Sequence, residues 1–130
     1  MRDQLESHNL FKSLSKQSLD ALSDVAELRH YKPEAVLIEE GQFNDRLFLL
    51  TKGSVRVESK GLGLIGNLKP NSIIGEISAS GLSSPVATVT ADEDVKAITL
   101  PIEAVSEIAF EEDAFANGLR ALGMHRAEGG

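Results

Sequence analysis

The sequence predicts an α+β fold: an antiparallel, jelly-roll-like β-roll flanked by N-terminal and C-terminal helices. Three observations predict it. Apolar residues recur at helical spacing over the first 30 positions. Positions 31–100 then break into short extended runs separated by turn residues, and helical spacing returns after Pro101.

In "LESHNLFKSLSKQSLDALSDVAELRH" the apolar positions are Leu5, Leu10, Phe11, Leu14, Leu19, Leu22, Val25 and Leu28. Ser15 is placed to cap a second helix, and the even spacing from Leu19 to Leu28 predicts an apolar stripe on that helix. Two short helices are therefore expected to open the chain. The strands follow as "AVLIEE", "DRLFLL", "SVRVES", "GLIGNL", "VATVTA" and "VKAITL". Val55 and Val57 alternate with Ser54, Arg56 and Glu58, the pattern of a strand with one buried face. "FND" and "TKGS" supply the Asn, Asp and Gly that tight turns need. After Pro101, which suits a helix start, Ile102, Val105, Ile108 and Ala109 mark one helical face. "EED" interrupts that pattern, and Asp113 can cap a last helix carrying Phe115, Leu119 and Leu122. Gly118 and Gly123 weaken that helix by about 1 kcal/mol each relative to alanine.

A length of 130 residues suits one domain, 1–130, divided into helices at 1–30, a roll at 31–100 and C-terminal helices at 101–126. The net charge of −7, with no Lys/Arg cluster, argues against nucleic acid and anionic membranes as partners. There is no cysteine for a disulfide or thiolate site, no secretion signal and no membrane-length apolar run, so a cytoplasmic location is expected. His8, His30 and His125 form no pair at ligand spacing, and no serine stands in a G-x-S-x-G turn. No metal, no cofactor and no enzymatic activity are expected.

The stretch that invites a binding function is "IIGEISASGLSSPVATVTA". The strand pair Ile73 and Ile74 stops at Gly75, and a helical turn beginning near Glu76 would leave the amides of Ile77, Ser78 and Ala79 unpaired, which favours an anion. Glu76 opposes a bare phosphate but suits a ligand that also offers a hydroxyl. On spacing alone, such a Gly-Glu pair is more often a plain turn whose acid favours the helix dipole.

A resemblance sharpens this reading. "YKPEAVLIEEGQFNDRLFLLTKGSVRV" resembles the opening of a cyclic nucleotide-binding domain, with Gly41, Asp45, Gly53, Val55 and Val57 at the family's positions. "GEIS", eight residues and "ATVTA" are similar to that family's phosphate-binding cassette, here 75–91. The resemblance implies that Gly75 lets backbone approach the cyclic phosphate and that Glu76 accepts from the ribose 2′-hydroxyl. It implies that the amides of Ile77 and Ser78 meet phosphate oxygens, that Ile74 belongs to an apolar floor, and that Val86 and Ala87 line the pocket. The family's phosphate-binding arginine falls on Pro85, or on Val86 with a one-residue slip, and neither carries charge. Ser83 and Ser84 offer neutral hydroxyls, weaker partners for phosphate than a guanidinium.

Three functions stay open on this basis. The first is a regulatory sensor for cAMP or cGMP that acts by moving its C-terminal helices about the "FEEDAF" break; Ala87, with no hydroxyl for guanine, leans toward the adenine form by family analogy. The second is a binder of a less anionic ligand such as a nucleoside. The third is a ligand-free domain that docks a protein partner or a second copy through an exposed face of Phe115, Leu119 and Leu122.

Overall fold

The computed structural model describes residues 2–75 and 87–127, with side chains described through residue 121. Three helices, not two, open the chain: α1 (Arg2–Ser7), α2 (Asn9–Lys12) and α3 (Lys16–Val25). His8 separates the first two because its Nδ1 accepts from the Leu10 amide and caps α2, while its Nε2 donates to the Asn71 carbonyl at 2.8 Å. Ser15 caps α3 as expected, its hydroxyl accepting from the Ser18 amide at 3.2 Å.

The stripe expected on α3 ends early. Leu19 and Leu22 are buried, but Val25 is 42% exposed and Leu28 lies in a strand, β1 (Glu27–Tyr31). Each step of three residues slides about 60° around a helix, so Leu28 would have stood on the face opposite Leu19. That spacing describes no single stripe.

The remaining strands are β2 (Val36–Ile38), β3 (Arg46–Lys52), β4 (Val55–Ser59), β5 (Gly63–Leu68), β6 (Ile73–Ile74), β7 (Thr88–Ala91) and β8 (Val95–Pro101). They form two antiparallel sheets, β1-β8-β3-β6 and β2-β7-β4-β5, the β-roll of an α+β fold. Alternation along β3 divides its side chains between two cores. Leu47 and Leu49 join the helices in one, while Phe48 and Leu50 fill the roll interior with Ile38, Val55, Ile74 and Val89. Gly53 turns β3 into β4 at φ +84°, where a Cβ would overlap the Asp94 carbonyl. No side chain larger than hydrogen fits there.

Two helices follow: α4 (Ile102–Glu111) and α5 (Asp113–Ala127). The Ile102 amide donates to the Asp45 carbonyl at 2.8 Å, tying the start of α4 to the turn that opens β3. Val105 and Ile108 face the core. Phe115 and Leu119, expected on an exposed face, are 0% and 1% exposed. They are covered by the N-terminal helices: Phe115 meets Phe11 at a ring separation of 5.7 Å, and Gly118 sits against Leu10 so closely that a Cβ would come within 2.9 Å of it. Among the described residues, no helix is long and apolar enough to cross a membrane.

Candidate functional site

The described ends of the cassette frame one end of the roll. Ile74 pairs with Phe48 across β6 and β3 and is 1% exposed, part of the roll-side core. Gly75 follows at φ +94°, where a Cβ would lie 2.7 Å from the Arg46 carbonyl oxygen and 3.0 Å from Asn44 Nδ2. The left-handed backbone and the approaching loop each demand glycine. The close approach visible here is to the protein's own β2–β3 loop.

Asn44 organises that loop. Its Nδ2 donates to the Arg46 carbonyl at 2.8 Å and its Oδ1 accepts from the Arg46 amide at 3.3 Å, so one side chain brackets the start of β3 beside Gly75. At the other end of the cassette, Ala87 is buried and leads into β7. There the Thr88 hydroxyl accepts from the Glu40 amide at 3.0 Å, and the Glu40 carboxylate accepts from the Lys60 amide at 3.1 Å. Gly75 thus packs against the β2–β3 loop, and Thr88 is hydrogen-bonded to it. Glu76, Ile77, Ser78, Ser83, Ser84, Pro85 and Val86 lie outside the described residues.

Arg46 is a cation that the sequence reading overlooked. It stands two residues before Phe48, so strand parity places it on the roll-interior side of β3, at the end marked by Gly75. Its guanidinium reaches the Thr99 hydroxyl at 3.4 Å and the Glu27 carboxylate at 3.8 Å. The signal was present as an arginine at an inward position among leucine and phenylalanine.

A second charged group, Arg56, lies on the outside of β4 and binds Glu34, Glu58 and Asp92, with Asn67 completing the cluster through Asp92. The guanidinium hydrogen bond holds the Glu34 carboxyl below its ordinary range. This cluster joins the β1–β2 and β7–β8 connections to strands β4 and β5 and faces away from the roll interior. Its role is to tie turns together.

The break between α4 and α5 is also held. Glu112 accepts from the Ser15 amide at 2.9 Å and the Ser15 hydroxyl at 3.2 Å, across 97 positions of sequence. Ser18 and Ser15, at the N-terminus of α3, hold its carboxyl below the ordinary range, as a carboxylate at a helix start should be. The "FEEDAF" break is therefore clasped to the N-terminal helices by one side chain.

With this geometry in view, the comparisons with known proteins are informative. The family model described as "Cyclic nucleotide-binding domain" matches residues 28–112. The cAMP-dependent protein kinase regulatory subunit of Eremothecium gossypii is 33% identical over 75% of this chain, which spans 21% of that relative. Among solved structures, the sensor domain of the transcriptional regulator DNR from Pseudomonas aeruginosa superposes with a TM-score of 0.83 at 20% identity, over 97% of this chain and 92% of that one. A mutant regulatory subunit of a cAMP-independent protein kinase A from Trypanosoma brucei, bound to cAMP in its A site, superposes with a TM-score of 0.80 at 18% identity. That match covers 92% of this chain and 44% of the other, and one of the mutant's three substitutions introduces an arginine.

Proposed function

The chain belongs to the cyclic nucleotide-binding domain family, and from that membership we propose that it is a non-enzymatic regulatory module that binds a cyclic nucleotide at one end of its β-roll and relays binding through its C-terminal helices. The observation that carries the reading is the left-handed Gly75 directly after the buried Ile74, at the start of the cassette. In this proposal Glu76 accepts from the ribose 2′-hydroxyl, and the amides of Ile77 and Ser78 and the hydroxyls of Ser83 and Ser84 face the phosphate. Val86 and Ala87 line the wall. The relay runs through α4 and α5, whose junction is clasped by Glu112.

The weak point of the site is charge. Pro85 and Val86 supply none where the family resemblance places an arginine, and a charged hydrogen bond of that kind contributes about 1.5–3 kcal/mol. Arg46, on the same side of β3 as Phe48, is the cation nearest in sequence to the loop that packs on Gly75. Retention of Glu76 without the arginine also supports a second reading, a less anionic ligand such as a nucleoside.

Titration calorimetry with cAMP, cGMP and adenosine tests both readings on the native chain, Pro85→Arg and Glu76→Ala. The expected result is binding of a cyclic nucleotide by the native chain, strengthened roughly tenfold to several-hundredfold by Pro85→Arg and weakened by Glu76→Ala. Binding of adenosine alone supports the second reading. No binding by the native chain, restored by Pro85→Arg, overturns both and marks a pocket that has lost its ligand.

A further inference from the structure

The edges of the two sheets are not alike. An unpaired edge strand is a template for another strand, and proteins commonly blunt such edges with charge or by keeping them short. β1 carries Glu27, Arg29 and His30, β2 has three residues and a register shift, and β6 has two residues. β5 has six residues, pairs on one side with β4, and is the outer strand of its sheet among the described residues. Residues 61–68, "GLGLIGNL", contain no charge and no proline. Leu62, Leu64 and Ile65 are 81%, 61% and 39% exposed, neighbouring aliphatic side chains along one edge.

We propose that this edge pairs with the same edge of a second copy, antiparallel β5 against β5, joining two four-stranded sheets into one. A strand edge is its own complement under a two-fold axis, so one patch serves both copies. Charge argues for a second copy at this place. Two chains of net charge −7 repel over most of their surfaces, but residues 61–68 bring no charge into contact. Pairing centred on Leu64 sets Leu64 against Leu64 and Leu62 against Gly66 of the second copy. In that register the opposed residues, 62–66 of each copy, carry no charge; Lys60 lies in the β4–β5 turn and Lys69 beyond the end of β5, both outside the opposed segment.

The size of the contact sets its strength. One strand edge with three side chains is smaller than the roughly 800 Å² per partner of a standard interface, so the dimer is weak, with dissociation between micromolar and millimolar. The register shift where Val57 and Glu58 meet Gly66 and Leu64 bends the strand at Ile65 and limits how many ladder bonds the pair forms.

Sedimentation velocity of the full chain across micromolar to millimolar concentrations tests the proposal, together with Leu64→Lys and two single-cysteine variants in this cysteine-free chain. The native chain should show a sedimentation coefficient that rises with concentration. Leu64→Lys should retain the native melting temperature, because the side chain is exposed, and associate at least about tenfold more weakly. Leu64→Cys should form a disulfide-linked dimer under mild oxidation, and Phe110→Cys, at a 90% exposed position on α4, should not. A native chain that stays monomeric at millimolar concentration overturns the proposal. So does a dimer that Leu64→Lys leaves intact, or cross-linking that is as efficient at position 110 as at 64.

Discussion

The two cores on either side of the β1-β8-β3-β6 sheet differ in what they join. The helix-side core gathers Phe11 from α2 and Phe115 from α5, so it ties the two ends of the chain together across one sheet face. The roll-side core draws on strand residues from Ile38 to Ala97, mostly aliphatic side chains and alanines around Phe48, and it includes Ile74, the residue before Gly75. Leu47 and Phe48 are covalent neighbours that lie one in each core. The roll interior and the terminal helices are therefore separated by the thickness of one sheet. A close-packed interior passes a displacement on rather than absorbing it, so a change on one face of the sheet is felt on the other.

The largest test of this contrast is Phe115→Ala. Removing a fully buried ring from the helix-side core is expected to cost about 3–5 kcal/mol, read from urea unfolding. If the cost is below about 1 kcal/mol, the helix side is not the structural half that its packing indicates.

Gly75→Ala probes the roll side with a smaller expected effect. A Cβ at φ +94° and 2.7 Å from the Arg46 carbonyl should cost about 1–3 kcal/mol and displace the β2–β3 loop. Chemical-shift changes confined to residues near Asn44 and Arg46 would sharpen the distinction between the two sides. Changes that spread to α5 would show that the roll side already communicates with the helices without a ligand.

The smallest effect is expected at the clasp. Ser15→Ala removes the α3 cap and one Glu112 donor, and should cost about 1 kcal/mol. Its partner gives a pH signature. The Glu112 carboxyl is held below its ordinary value of 4.5, so its contribution to stability is complete above that pH and is lost as pH falls below it. Melting temperature followed from neutral to acid should fall less steeply for Glu112→Gln than for the native chain. Equal slopes would mean that the clasp contributes nothing to the α4–α5 junction.

Much of this was legible in the residues. The short runs "SVRVES", "GLIGNL" and "VKAITL" became β4, β5 and β8 because alternation and turn residues are local signals. The Ser15 cap was legible for the same reason. At the candidate site, the resemblance pointed to Ile74, Gly75 and Ala87, and the structure puts Ile74 and Ala87 in buried positions and Gly75 in a left-handed turn. Asn44 as the bracket of β3 and Arg46 as an inward cation were not anticipated, since each depends on which strand lies beside it.

The sequence by itself determined the α+β class, most of the strands and the turns that require glycine, because those follow from periodicity and backbone sterics within a few residues. Tertiary structure alone decided that Leu28 leaves α3 for a strand and that Phe115 and Leu119 lie beneath the N-terminal helices. It alone brought Ser15 to Glu112 and His8 to Asn71. An apolar pattern records that a residue seeks cover. Which surface covers it is settled only when distant segments compete for the same face.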